Sequence, residues 1–466
     1  MKNRAVIIEL LGVSTALYFE RGRFTKDVLN AMVFPIFILG PVAGQSQDKS
    51  CRSAKAHLNA CVLFLSLIGA FGLGIFSAHA QSLQSYIQEA EAHNPDIQAY
   101  ELRHEIAQEK VNEVNTLPNT TISAGYFVSE PETRTGAQRA KFSVSQMLPW
   151  FGTITARENY ASSMAEAEYV EIVIAKRKLA LEVAQLYYQF YAIGAKQKVL
   201  DENIQLLKTY ERLALTSVEV GKASAVDVLR LQIRQNELQQ QKEMLFQQAK
   251  GILAGLNSKL DRQYDHLVQV VTELEIPDAD LEYSYDSISE NPELLRYDRL
   301  FESVVQSELL NQKERAPSVG VGLDYVPVAE RTDMMLTDNG KDIIMPMVTL
   351  SIPIFNKVYS SLSKQNELRQ KELEAQKNER LNVLQSKFSR AISQRNQARI
   401  SFDTQTKNLE QARDAEEILT TNYETGTIDF NEVLDIQELQ LKFQTEQIES
   451  VQEYFAQSAI INYLIN

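Results

Sequence analysis

The sequence has 466 residues, of which 23% are charged and 44% are hydrophobic, and its net charge is −14. With only 18 glycines and 12 prolines it is not a loop-dominated chain, and its long stretches of Gln, Glu, Lys, Ala and Leu favour extended helices. The negative charge argues against nucleic acid as a partner, because such a surface repels the phosphate backbone.

The N-terminus has the character of a targeting segment. A short apolar run, Val62–Phe76, follows basic residues and precedes the small-residue sequence Ala-His-Ala. This order is typical of a secretory signal peptide, so we expect residues 55–80 to be removed and the exported chain to begin near Gln81. Residues 1–54 then come from a mis-called start codon or are disordered. Both cysteines precede the cleavage point, and removing residues 1–80 changes the net charge from −14 to −18.

Two segments with a period of two come next, at about residues 120–128 and 139–147. In the first, apolar side chains alternate with Thr, Ser and Gly; in the second, Phe142 and Val144 alternate with serines. Strands of this length and alternation suit a bilayer crossing, with the apolar side facing lipid and the polar side facing water. Taken alone, each segment also fits a hairpin of a soluble protein.

A very long helix is predicted from Thr153 to Val220. The segment contains no proline, and its apolar residues recur every seven positions, which is typical of a coiled coil. At 1.5 Å per residue it spans ~100 Å, far more than a globular domain uses. A turn at Gly221 leads to a second heptad helix, and the linker at 261–289 breaks the heptads.

The second half of the chain repeats the first. Three patterns recur in the same order about 200 residues apart. The matching pairs are His93–Ile97 with Glu290–Leu294, Met147–Gly152 with Ser351–Asn356, and the turns at Gly221 and Gly426, each followed by an acid, Val and Leu. We therefore predict two copies of one unit, residues 81–289 and 290–466. The second copy has strands at about 318–326 and 343–352 and its turn at Gly426.

Four strands per chain are too few to close a barrel, and open sheet edges are not tolerated in lipid. If the strands cross a membrane, several chains must contribute to one barrel. Aromatic residues at the strand ends, Trp150, Phe151 and Phe355, occupy positions typical of a membrane interface.

These features together resemble the TolC family of outer-membrane efflux and secretion channels. The glycine-turn motif, present once in each half, and the Asn-Pro that begins each repeat are the specific marks. The resemblance implies a mixed fold: an all-α periplasmic barrel of long coiled-coil helices, joined to a membrane β-barrel. The family is homotrimeric, and each chain contributes four strands to one twelve-stranded barrel. The linker at 261–289 would form part of an equatorial belt.

The resemblance also assigns a periplasmic gate. Glu432 and Asp435 are three residues apart, so their side chains share one helix face, and both match acids at the constricted entrance of these channels. Apart from the resemblance, the alternative is a solvated face of an acidic helix. Tyr423 and Asp227 match a network that links neighbouring helix tips. The basic residue expected two positions after the second glycine is absent, since Ile428 stands there. The sequence therefore predicts a different latch or a looser resting state.

The two glycine turns form the end of the tunnel where the family binds its adaptor. The residues that we expect to turn the chain or contact an adaptor are Gly221, Lys222, Ser224, Gly426, Thr427 and Asp429.

No pattern in the exported chain indicates catalysis, a cofactor or a metal site. His93 and His104 lie eleven residues apart, about three helical turns, which is too far for one ion. We therefore expect no enzyme. The resemblance to the TolC family implies instead a passive exit duct in the outer membrane of a Gram-negative bacterium. It would export small molecules or ions delivered by an inner-membrane pump of the RND or ABC type through a periplasmic adaptor. The alternatives are the duct of a type I protein secretion system and a periplasmic coiled-coil tether.

Overall fold

The computed structural model describes residues 83–221, 224–280, 283–425 and 427–465. The predicted signal peptide and the segment before it lie outside the described residues. The elements of the first repeat are α1 (Leu83–His93), α2 (Pro95–Val114), β1 (Thr121–Tyr126), β2 (Glu132–Thr133), β3 (Gly136–Ala137), β4 (Ala140–Leu148), α3 (Thr153–Glu219) and α4 (Ala225–Lys259).

The second repeat has the same order without the small β2–β3 hairpin. Its elements are a 3₁₀ helix (Tyr285–Glu290), α5 (Pro292–Glu314), β5 (Ser318–Val326), β6 (Ile343–Ser351), α6 (Val358–Glu424) and α7 (Phe430–Ile465). The long helices α3 and α6 have 67 residues each. Each therefore extends about 100 Å. The internal duplication is thus visible in the order and the lengths of the elements.

The repeated Asn-Pro pattern has the same structural role in both halves. The side-chain oxygens of Asn94 and Asn291 each accept a hydrogen bond from a backbone N–H two residues ahead, at 2.9 Å in both cases, and proline occupies the first helical turn. The amide nitrogens donate to the end of the last helix of the same repeat, to the carbonyl of Lys259 at 2.9 Å and of Leu464 at 3.0 Å. Each asparagine therefore joins the start of its repeat to the end.

The four long strands form one antiparallel sheet in the order β1-β4-β5-β6, with β1 and β6 at its edges. The register places Val144 opposite Leu323 and Ser143 opposite Asp324, so the two faces differ in chemistry. The apolar face includes Ile122, Ala124, Tyr126, Phe142, Val144, Val319, Val321, Leu323, Tyr325, Ile344, Val348 and Leu350. The opposite face includes Thr121, Ser123, Gly125, Lys141, Ser143, Ser145, Met147, Gly320, Gly322, Asp324, Met345, Met347 and Thr349.

The long helix α3 packs against α1, α2, α4, α5 and α7, whereas α6 packs mainly on α7 and α5. The N-terminal half of α3 lies against α2 and α5, and its C-terminal half lies against α4 and α7. The heptad positions that the sequence indicated are largely buried there: Ile172, Leu179, Ile193, Leu200 and Leu207. Among the residues that the structure describes, no helix is both long and apolar enough to span a membrane.

The linker between the repeats is held to the helices by tyrosines. Backbone N–H groups of the linker donate to the hydroxyl oxygens of Tyr86, Tyr187 and Tyr191, at 3.0, 3.1 and 3.1 Å. Because these bonds fall on residues 269, 271 and 274, the segment is anchored at short intervals along its length. A non-helical linker needs such partners, since its backbone groups have no ladder of their own.

Candidate functional site

The first turn at the helical tip, between α3 and α4, is built by a glycine and a capping box. Gly221 has φ = +73°, a left-handed conformation that favours glycine, and its N–H donates to the carbonyl of Val218 at 3.0 Å. The side-chain oxygen of Ser224 accepts from the N–H of Val226 at 3.2 Å, while Asp227 accepts from the N–H of Ser224 at 3.3 Å. This reciprocal pair satisfies backbone donors that the start of a helix leaves free.

The second turn, between α6 and α7, is closed by threonine. Thr427 donates to the carbonyl of Asn422 twice, from its backbone N–H at 3.0 Å and from its hydroxyl at 2.8 Å. Thr427 and Asp429 are exposed. Two predicted contact residues, Lys222 and Gly426, lie outside the described residues.

An aromatic cluster lies behind the two turns. Phe430, which is 1% exposed, packs between Tyr210 and Tyr423, with ring centroids 5.6 and 4.9 Å away. Val228 and Val433, the valines of the repeated motif, are buried in the same core. The valine after each acid is therefore a packing residue, which gives the motif a structural reason in both halves.

The predicted gate acids differ in their surroundings. Glu432 and Asp435 are exposed on α7, and no described residue forms an ion pair with either of them. The side chain of Asp227 is only 16% exposed and lies 3.8 Å from the guanidinium of Arg230. The structure thus brings Glu432 and Asp435 to one face of a helix and gives Asp227 a capping role on another.

Tyr423 and Asp227, which the family resemblance pairs, do not bond to each other in the described structure. The hydroxyl of Tyr423 is buried without a hydrogen-bond partner among the described residues. Ile428, which stands in the place of the expected base, is half-buried and packs on the aromatic cluster. An apolar contact therefore occupies the position where the family resemblance predicted a charge.

Sequence reasoning missed a contact that joins the two turns within one chain. The guanidinium of Arg230 donates to the side-chain carbonyl of Asn431 while also approaching Asp227. One turn further along, Arg234 lies 3.6 Å from Glu438. Because Arg230 is three residues after Asp227 on one helix, their pairing could be predicted from the sequence. The bond from Arg230 to Asn431 in the other repeat could not.

A second missed feature is a carboxylate clamp between three helices. Glu416 on α6 accepts from the hydroxyl of Tyr210 on α3 at 2.5 Å and from the side-chain amides of Gln437 and Gln440 on α7. Burial, together with the Glu416 carboxylate, raises the pKa of Tyr210 well above its usual range. The phenol therefore stays protonated and remains a hydrogen-bond donor at neutral pH.

The histidines serve local hydrogen bonds. His93 bonds to the carbonyl of Glu89 at 3.0 Å, and His104 bonds to the carbonyl of Ala165 at 3.0 Å. Within the described ranges, no three His, Cys, Asp or Glu side chains are grouped closely enough to hold a metal ion.

Comparison with known proteins gives one family and a set of solved structures. Residues 86–260 match the model of the outer membrane efflux protein family. No curated protein matches the chain in sequence. Among solved structures, the outer membrane protein VceC of Vibrio cholerae superposes with a TM-score of 0.66 at 16% identity, covering 82% of this chain and 95% of that one.

Two further outer-membrane channels give similar values. CmeC of Campylobacter jejuni has a TM-score of 0.66 at 14% identity, covering 82% of this chain and 85% of that one. MtrE of Neisseria gonorrhoeae, in its open state, has a TM-score of 0.64 at 14% identity, covering 82% and 88%.

These matches confirm the predicted fold class, in which long helices are joined to a small antiparallel sheet. The matched proteins are outer-membrane proteins and channels, which agrees with the predicted localisation. Residues 86–260 are therefore similar in sequence to the outer membrane efflux protein family, and the two repeats share the fold of solved outer-membrane channels, in agreement with the resemblance to the TolC family.

Proposed function

We propose that this chain forms a homotrimeric exit duct of a tripartite efflux system in the outer membrane. The duct passively exports small molecules or ions that an inner-membrane pump of the RND or ABC type delivers through a periplasmic adaptor. It performs no chemical reaction, and its working parts are a lining and a gate.

The observation that carries the proposal is the sheet. It is apolar on one face and polar on the other, it has two unpaired edges, and it continues into helices about 100 Å long. Unpaired backbone groups at the edges cost several kcal/mol each in lipid, so a single copy is not stable in a bilayer. Three copies supply twelve strands and remove every edge.

The two ends of the molecule then have different tasks. The polar face of the sheet, which carries an ion pair between Lys141 and Asp324 at 2.5 Å, lines the pore through the membrane. At the other end, Glu432 and Asp435 of three chains surround the periplasmic entrance. The exposed turn residues, Thr427 and Asp429 among them, meet the adaptor.

The decisive experiment uses two adjacent residues of β6 that the sheet places on opposite faces. Val348 is on the apolar face and Thr349 is on the polar face, and both are exposed in the single chain. Val348→Arg puts a charge into lipid and costs about 2–4 kcal/mol near the bilayer midplane, whereas Thr349→Arg puts it into the pore. We expect the first variant to lose trimer assembly and the second to assemble and conduct with altered selectivity.

The readouts are native mass spectrometry of the purified protein for the trimer and planar-bilayer conductance for the pore. Equal assembly of both variants would contradict the membrane sheet. Fractionation tests the competing idea of a periplasmic tether, because a tether is released from membranes by high salt or alkali, whereas a duct requires detergent.

A further inference from the structure

A cleft near the middle of the long helices is not used by the proposed duct. It has a volume of about 770 Å³ and lies between α1, α3, α7 and the linker. Its apolar wall includes Ile87, Leu181, Tyr188 and Phe455, and the rings of Tyr188 and Phe455 are 5.4 Å apart and inclined by 30°. The size and the aromatic lining are those of a site for a small organic molecule.

Two arginines line the same cleft, Arg177 and Arg395, and none of its described lining residues is Asp or Glu. Arg395 is 5% exposed, and its buried Nε–H has no hydrogen-bond partner among the described residues. Among the described residues, the acid paired with Arg395 is Asp280, at 3.7 Å, but it accepts from Arg399 at 2.8 Å and from the hydroxyl of Tyr454 at 2.5 Å. Asp280 is therefore already satisfied by other groups.

A second described acid, Glu293, also has other partners. Glu293 accepts from Arg380 and from the hydroxyl of Tyr463, the latter at 2.5 Å. Burial and the neighbouring Tyr187 raise the pKa of Tyr188 to about 12, so this phenol adds no negative charge. The cleft is thus a basic site in a chain whose net charge is −14.

We propose that this cleft binds a small amphiphilic organic monoanion, with a carboxylate or sulfonate head and an apolar body. The head lies against the guanidinium groups of Arg395 and Arg177, and the body packs on Tyr188 and Phe455. A buried donor without a partner costs about 1–3 kcal/mol, and more when it is charged, and an anionic acceptor recovers that cost. A neutral apolar molecule would leave the donor unpaired, and two arginines would repel a cation.

The test uses naphthalene-2-carboxylate as the probe and naphthalene-2-carboxamide as its neutral analogue of the same shape. Binding to the full-length processed protein in lipid nanodiscs is measured by isothermal titration calorimetry, with empty nanodiscs as the blank. We expect the acid to bind at least tenfold more tightly than the amide. Equal affinity of acid and amide would overturn the proposal. So would the absence of binding, which would mean that the assembled protein closes the cleft.

A set of variants assigns the binding to Arg395. Arg395→Gln is expected to weaken the acid at least tenfold and to leave the amide unchanged, while Arg395→Lys keeps part of the preference for the acid. The exposed Arg390 on the same helix gives the control, because Arg390→Gln makes the same chemical change outside the cleft. Full acid binding by a folded Arg395→Gln protein would contradict the assignment, and the Lys variant supplies the comparison if the Gln variant unfolds.

Discussion

The two turns at the helical tip follow the same sequence pattern but differ in their charged residues. In both, a buried valine follows the acid, and the following helix begins four residues after the glycine position. Where the first turn has Ala225, the second has Phe430, and where the first has Arg230, the second has Asp435. The two turns share their buried valines and the start of the following helix, whereas Phe430 in the core and the charged residues differ.

The first tip neutralises its own acid. Asp227 is largely buried, caps α4 and lies beside Arg230. Glu432 and Asp435 in the second tip are exposed and form no ion pair with a described residue. The acid of the first turn therefore stabilises the turn itself, whereas the acids of the second turn give the tip an exposed negative surface. Five predictions test this difference; the four sets of substitutions are ordered by their expected effects on the stability of the tip, and the fifth concerns the pH dependence of the second.

The largest effect is expected at Phe430. Phe430→Ala gives the second tip the residue that the first has at the equivalent position, Ala225, and removes the ring that Tyr210 and Tyr423 enclose. Truncating a buried phenylalanine costs about 3–5 kcal/mol. The free energy of local opening at the start of α7, measured by amide hydrogen exchange, should fall by that amount. The start of α4 serves as the internal control, and equal loss at both sites would contradict the separate roles.

The next effect is expected at the carboxylate clamp. Tyr210→Phe removes the hydroxyl that donates to Glu416 at 2.5 Å but keeps the ring on Phe430. Loss of a hydrogen bond to a charged group costs about 1.5–3 kcal/mol. We expect faster hydrogen exchange in the C-terminal half of α6 and a larger leak current. Tyr423→Phe gives the comparison for hydrogen exchange: that hydroxyl is buried without a partner among the described residues, so its removal breaks no bond within the described chain and should not speed exchange in α6.

The pH dependence of the clamp follows from the raised pKa of Tyr210. A raised folded-state pKa means that the stabilisation is fully present below the unfolded value, about 10 for tyrosine, and is lost as the pH rises through the folded value. The ratio of amide protection factors between wild type and Tyr210→Phe should therefore be the same at pH 6 and at pH 8. A ratio that changes across this range would show that another group controls the clamp.

How much the sequence could predict depended on the range of the interaction. The bounds of β5 agree with the predicted strand at 318–326, because period-two alternation is a local signal. The strand predicted at 120–128 is shorter, at Thr121–Tyr126, and the two-residue strands β2 and β3 were missed because they are too short to show alternation.

The tip illustrates the same limit. The glycine turns and the buried valines were readable from the repeat. The bond between Tyr210 and Glu416 joins residues 206 positions apart, and the bond between Arg230 and Asn431 joins the two repeats. Such contacts depend on how the helices pack, and helix packing is set by side chains along the whole interface. Local sequence patterns therefore could not predict these contacts.

A smaller effect is expected at the first turn. Ser224→Ala removes the side-chain acceptor of the capping box and should cost about 1 kcal/mol. Hydrogen exchange at the start of α4 is the measurement. Ser224→Asp keeps an acceptor at the cap and should retain the protection of wild type. Loss of protection in both variants would show that the hydroxyl acts through something other than capping.

The smallest effect on stability, and the most informative effect on function, is expected at the exposed acids. Because Glu432 and Asp435 have no bonded partner among the described residues, the double variant Glu432→Gln/Asp435→Asn should fold as wild type does. In a threefold assembly these two positions place six carboxylates around the entrance, a ring that attracts cations and holds divalent ions. The variant should therefore lose cation preference and divalent block in planar bilayers.

Asp227→Asn changes an acid of the same motif that is already paired with Arg230, so it should weaken the turn and leave selectivity intact. Unchanged ion selectivity in the double variant would contradict the assignment of the gate to the second tip. Changed ion selectivity in Asp227→Asn would contradict the separate roles of the two tips.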